Sequence, residues 1–199
     1  MDLEIFPATP DRWGDIERLF GPTGQQGGCW CMWNRQTSRE FDEHKGDRNK
    51  AAFRDLVDDD RPPGLLAYAE DVPIGWVAVA PRQEYGRLQR SPGTKPVDDV
   101  AVWAITCFVI ARGARGTGVA TALLDAAVEF ARSQGATAVE GYPVEPRSDH
   151  MPEIYAWMGL ASMFEKSGFE AVSYTHLRAH ETLTPISYAV FCLKRGGGG

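Results

Sequence analysis

The stretch Arg115, Gly116, Thr117, Gly118, Val119 and Ala120 constrains the chain more than any other, because it joins two segments of opposite character. Ahead of it, residues 101–110 (AVWAITCFVI) are rich in β-branched and aromatic side chains and too apolar for a solvated segment, which predicts a buried strand. Behind it, Val119, Leu123, Ala127, Phe130 and Ala131 recur at helical spacing, and Gly135 stands where a helix-ending glycine belongs. Glycines at such a joint let the backbone approach a ligand. The unpaired N–H groups of the helix start make an anion site.

The rest of the chain arranges itself around this joint. Residues 3–6 read as a first strand, and Thr9 and Pro10 start a helix, with Thr9 as N-cap and Pro10 at the first helical position. Trp13, Ile16, Leu19 and Phe20 form its buried stripe. A flexible loop, residues 21–28, leads to the cluster Cys29, Trp30, Cys31, Met32 and Trp33. Ser38 is the expected cap of a second helical region reaching Leu56, with Gly46 as a break and Pro62 and Pro63 as its end. Residues 65–68 and 74–79 predict an antiparallel hairpin turning at Glu70 and Asp71. A polar connection, residues 81–99, follows; connections of that length are more often functional or mobile than tight turns. Residues 137–142 predict another strand, 143–152 a polar loop, and 155–167 a helix carrying Leu160, Met163 and Phe164 and ended by Gly168 and Phe169. This order predicts one α/β domain with a mixed sheet and helices on its faces.

Composition narrows the function. The net charge of -6 argues against a general nucleic-acid surface. No run is long enough to span a membrane, and the first residues carry no leader pattern, so a cytoplasmic protein is expected. Cys29, Cys31, Cys107 and Cys192 are few and irregularly placed, which suits reduced thiols. Cys29-x-Cys31 has no second Cys or Cys/His pair at a suitable spacing, so packing or pocket lining is expected there and no metal. Trp30, Met32 and Trp33 suit either an aromatic acceptor site or a buried core. A P-loop needs Gly-Lys-Ser/Thr after its spacer and a dinucleotide fingerprint a third glycine; the joint has neither.

Arg115-x-x-Gly118-x-Ala120, between an apolar strand and a helix, resembles the acyl-CoA signature of the GNAT superfamily of N-acetyltransferases. Residues 163–169 (MFEKSGF) resemble the family's fourth-helix ending, usually Tyr-Glu-Lys-x-Gly-Phe, and the order of elements matches over nearly the whole chain to residue 171. The resemblance implies a GNAT-like acyl-CoA N-acyltransferase fold and direct transfer of an acetyl group from acetyl-CoA to a primary amine of a small molecule or peptide. A homodimer is compatible with it; nucleic acid and membrane partners are not expected. It also implies that the backbone of Gly116, Thr117, Gly118, Val119 and Ala120 takes the pyrophosphate with Arg115, and that Phe108, Val109 and Ile110 pair with the pantetheine arm. A strand N–H beside the thioester carbonyl then stabilises the developing oxyanion.

Two departures matter. Phe164 stands where family members often place a tyrosine acid, and residues 101–110 lack the glutamate some members use as base. Ser162 and Tyr155 are the substitutes for the acid; Glu140 and Tyr142, on one face of the next strand by alternation, are first candidates for the base. Each also reads as an ordinary surface carboxylate or packed ring. The departures leave a non-catalytic acyl-CoA-binding or sensing module as the alternative function.

The end of the chain reads differently. Residues 172–182 resemble the translation of a transposase-type sequencing adapter, residues 186–193 the adjoining primer, and 183–185 the index between them. Lys194, Arg195 and the closing glycines fit an A-run and a G-run. Residues 172–199 are therefore expected to be a non-native tail, with the native C-terminal strands missing. His44 and His150 are then the only native histidines in the chain.

Overall fold

Glu70 and Asp71, both in the left-handed region (φ 48° and 62°), close a two-residue turn between β2 (Gly64–Ala69) and β3 (Val72–Pro81), as their place between two apolar runs predicts. The computed structural model describes residues 2–94, 96, 101–145, 153–176 and 187–194. β1 (Glu4–Pro7) lies antiparallel on β2, and β4 (Trp103–Ile110) lies antiparallel on β3. β5 (Ala138–Gly141) is parallel to β4, making the sheet mixed. β8 (Ser187–Lys194) runs antiparallel to β5, and the same ladder resumes beyond Tyr142 and Pro143 with β6 (Val144–Glu145). β7 (Glu170–His176) pairs with β8 as well. Residues 170–176 and 187–194 thus complete the sheet, whatever their origin.

One face carries α5 (Val119–Ser133). Val119, Leu123, Ala127 and Ala131 are buried as the periodicity predicts, together with Leu124 and Val128. The helix lies close because β3 has Gly75 beneath it. A Cβ there would stand 2.9 Å from Val119 Cγ1 and 2.8 Å from Leu123 Cδ1. The opposite face carries α1 (Trp13–Phe20) and α3 (Asp47–Val57), whose Ile16, Phe20, Phe53 and Val57 pack on Leu66, Tyr68, Trp76 and Ala78.

Several boundaries differ from the sequence expectation. Thr37, not Ser38, caps α2 (Ser38–His44): Thr37 Oγ1 accepts from the Glu40 N–H, and Glu40 accepts from the Thr37 N–H at 2.8 Å. This reciprocal box contributes about 1 kcal/mol. Thr9 precedes a short 3-10 turn, Pro10–Arg12, and its side chain does not cap α1. The expected helix over 155–167 is two pieces, a 3-10 turn at Glu153–Met158 and α6 (Ala161–Lys166). Gly159, at φ 88°, breaks the run, and Val144 N–H donates to its carbonyl. The connection after β3 contains a 3-10 turn (Arg82–Glu84) and α4 (Gly86–Arg90), with Tyr85 and Leu88 buried. Its residues 95 and 97–99, and the loop over 146–152 with His150, lie outside the described residues.

Candidate functional site

The sheet opens at its centre. β4 and β5 pair only at Trp103↔Val139, Ala104↔Glu140 and Ile105↔Gly141, whereas β4 follows β3 as far as Ile110. Beyond Ile105 the β5 side of β4 has no strand partner among the described residues. The separation coincides with a bulge. Ala78 faces Cys107 and Val79 faces Ile105, so Thr106 is the extra residue. An extra residue reverses the alternation of side chains. Before it, Trp103 and Ile105 join the α5 face; after it Phe108 and Ile110 do, and Cys107 and Val109 pack on the α1/α3 face.

On the α5 face Phe164 is fully buried against the gap. A Cβ on Gly141 would stand 2.0 Å from Phe164 Cε1, and the rings of Phe108 and Phe169 lie edge-on to Phe164 at 6.4 and 4.9 Å. Phe164 is therefore part of the core. Ser162, two residues earlier, is exposed. Tyr155 belongs to the 3-10 turn before α6, and its side chain is outside the described residues.

Beyond Ile110 a 3-10 turn (Arg112–Ala114) leads the chain into the glycine joint. Gly116 and Gly118 have φ of 73° and 92°, a region costly for residues with a Cβ, and nothing lies within 4 Å of the space a Cβ would occupy. The glycines are required by backbone shape rather than by crowding. Gly118 forms the N-cap of α5, and the Ala122 N–H is the donor that reaches the Gly118 carbonyl. The N–H groups ahead of it precede the helical ladder. Thr117 Oγ1 donates to the Ala114 carbonyl at 2.8 Å, and Arg115 Nε donates to the Ile110 carbonyl at 3.2 Å, so the guanidinium lies between strand end and loop. An open strand edge, orphan helix-start donors and an arginine in sequence suit a ligand with an amide-bearing arm and a pyrophosphate. The residues present fit acyl-CoA on these grounds.

Glu140 and Tyr142 come together at the closed end of the gap, as alternation predicts, but with a partner the sequence reading left unassigned. Arg82 Nε forms an ion pair with Glu140 Oε1, both side chains less than a tenth exposed, and donates to Tyr142 Oη at 3.0 Å; Tyr142 Oη donates to Glu140 Oε1. Arg82 also donates to Gln89 Oε1 at 3.2 Å and to the Leu88 and Thr94 carbonyls. Burial, and then the neighbouring Glu140 carboxylate, push the Tyr142 hydroxyl far above its ordinary range, so it stays a neutral phenol. Arg82 was unreadable as a site residue because an arginine in a polar connection is normally solvated.

The cysteine cluster follows the buried-core alternative for all but Trp33. Trp30 and Met32 are core, Trp30 lying 6.0 and 5.7 Å from the Trp13 and Phe20 rings, while Trp33 is exposed beneath the Arg87 guanidinium at 3.8 Å. Cys31 meets Cys107 of β4, a contact no spacing rule reveals. Among the described residues no group of three or more His, Cys, Asp and Glu side chains is placed to hold a metal, and no helix is long and apolar enough to cross a membrane.

Solved structures with the same arrangement are numerous but distant in sequence. A polyamine N-acetyltransferase from Drosophila melanogaster aligns over 98% of this chain and 100% of its own, with a TM-score of 0.61 and 10% identity. An N-acetyltransferase from Staphylococcus aureus Mu50 aligns over 98% and 99%, with a TM-score of 0.56 and 13% identity. An acetyltransferase of the GNAT family from Streptococcus pneumoniae aligns over 98% and 100%, with a TM-score of 0.56 and 15% identity. Such identities speak to the fold alone. No curated protein matches the chain. Residues 30–159, which hold the strand gap, the bulge and the glycine joint, match the acetyltransferase (GNAT) family, and to that family the chain belongs.

Proposed function

We propose that the protein transfers an acetyl group from acetyl-CoA to a primary amine of a small molecule or peptide. The observation that carries this reading is the half of β4 beyond Thr106, which has no strand partner on its β5 side among the described residues and leads through a 3-10 turn (Arg112–Ala114) into the glycine joint. Acetyl-CoA, when bound, supplies the activated thioester. The N–H groups of Gly116, Thr117, Gly118, Val119 and Ala120, with Arg115, hold its phosphates. The backbone of Phe108, Val109 and Ile110 orients the arm, and a strand N–H near the bulge stabilises the charge that develops on the acyl oxygen. We assign removal of the amine proton to Glu140 acting through the Tyr142 hydroxyl, which accepts that proton as it passes its own to the carboxylate, and delivery of a proton to the leaving sulfur to Ser162 or Tyr155 in place of Phe164.

The burial of Phe164 favours a second reading, a domain that binds acyl-CoA without turnover. Free-thiol release from acetyl-CoA separates the two. We expect release only when an amine is added, from a panel of polyamines, amino acids and peptides with free N-termini. Acetyl-CoA binding with no amine-dependent release across that panel would overturn the transferase reading.

We also propose that residues 172–199 are adapter-derived and that residues 1–171 form the GNAT domain. An alternating apolar segment satisfies a sheet edge whatever encoded it, so the pairing of β8 does not bear on its origin. Sequencing the genomic locus across codon 170 is expected to show different codons from 172 on; the same codons in the intact locus would contradict this.

A further inference from the structure

The fold gives the unassigned thiols a geometry of their own. Cys31 Sγ lies 3.4 Å from Cys107 Sγ, although 76 residues separate them in the chain. Cys107 stands on β4 next to the Thr106 bulge, and Cys31 arrives from the loop that follows α1. That loop reaches it through two consecutive non-glycine residues in the left-handed region, Trp30 at φ 44° and Cys31 at φ 54°. Bulky side chains hold such a backbone only where their surroundings over-determine it. Trp30 is fixed between the Trp13 and Phe20 rings, and the Trp76 indole N–H donates to Cys31 Sγ at 3.1 Å. The Cys31 sulfur is held toward its partner. Cys29 turns elsewhere, toward the backbone N–H groups of Trp33, Cys31 and Met32.

We propose that Cys31 and Cys107 form a modification site, a dithiol that a hydroperoxide oxidises to an intramolecular disulfide joining the loop to β4. A disulfide has an S–S length of about 2.05 Å, so closing it needs a shift of somewhat over an ångström, within reach of side-chain rotation. Cys29, Cys31 and Cys107 are half-buried residues. The hydrogen bond shared with Cys31, in which the Cys107 thiol can keep its proton as the donor, and then burial push the Cys107 thiol up, and burial pushes Cys29 to about 11. Cys31, whose sulfur accepts the Trp76 indole N–H, is the sulfur that attacks first. Its sulfur attacks the peroxide O–O bond, giving a sulfenic acid and one water. The Cys107 sulfur then displaces the sulfenic hydroxyl, which leaves with the Cys107 proton as a second water. Two thiols and one hydrogen peroxide become one disulfide and two waters.

The bond would land where the loop already braces the strand. Asn34, three residues after Cys31, donates through Nδ2 to the Thr106 carbonyl at 3.3 Å. The test treats the full chain with hydrogen peroxide, blocks the remaining thiols, and maps linked peptides by mass spectrometry. The expected result is a peptide containing Cys31 joined to one containing Cys107, loss of two titratable thiols, and recovery of both with dithiothreitol. Because the link spans a long loop, the melting temperature should rise by roughly 10 °C. Cys29→Ser should keep the link and Cys107→Ser should lose it, while mapping of the unsubstituted chain needs no variant to fold. A link from Cys31 to Cys29 or Cys192, a link between chains, or oxidation to sulfinic acid without any link would overturn the proposal. None of these readouts depends on acetyl transfer, so they stand apart from the proposed function.

Discussion

Replacing Arg82 with Met is expected to lower stability by about 3–5 kcal/mol, because it strands the Glu140 carboxylate, buried, without its cation. The arginine holds more than one partner: Glu140, the Tyr142 hydroxyl, Gln89, and the carbonyls of Leu88 and Thr94. Removing it therefore leaves acceptors unpaired in the connection after β3 as well as in β5. For a chain of this length the loss corresponds to a fall in melting temperature of roughly 10 °C. Arg82→Met combined with Glu140→Gln should recover a good part of it, since a neutral amide can still accept from Tyr142 and no charge is left buried. Thermal unfolding of the two variants, followed by circular dichroism, checks both statements. A single variant that melts like the parent would show that the pair contributes nothing. The consequence for the site is direct, because Glu140 sits opposite Ala104 one residue pair before the strands part.

What the sequence made legible was the local chemistry. The turn at Glu70 and Asp71, the amphipathic face of α5 and the glycines of the joint each follow from a few adjacent residues, and the structure places them as expected. The cap of α2 lies at Thr37, one residue before the expected Ser38, and Thr9 precedes a 3-10 turn instead of capping α1, because competing Ser, Thr and Pro residues lie side by side there. Gly159 broke a helix whose apolar spacing looked continuous, since periodicity does not register a backbone pairing such as Val144 with Leu160. The features decided by distant contacts were illegible for the same reason. The bulge at Thr106 depends on the register of β3 against β4, Arg82 on the strand it folds over, and Cys107 on a loop 76 residues away. A sequence of apolar residues through 101–110 shows a strand; it does not show that the strand changes face halfway along.

The donor site should be the most sensitive part of the molecule to small changes. Arg115→Ala removes the cation that lies against the Ile110 carbonyl at the mouth of the joint. Gly118→Glu places a side chain at φ 92°, where only glycine is at ease, and sets a carboxylate among the N–H groups we propose for phosphate. Together they are expected to weaken acetyl-CoA binding by roughly 100-fold or more, and Arg115→Ala alone by roughly 10-fold. Both positions are exposed, so α5 keeps its buried face and the fold its core. Calorimetric titration of acetyl-CoA into the parent and the double variant, with circular dichroism to verify folding, tests the acyl-donor site most directly. Clear binding by the parent and none measurable for the folded double variant is the expected result; equal affinity in the two would contradict the proposed donor site.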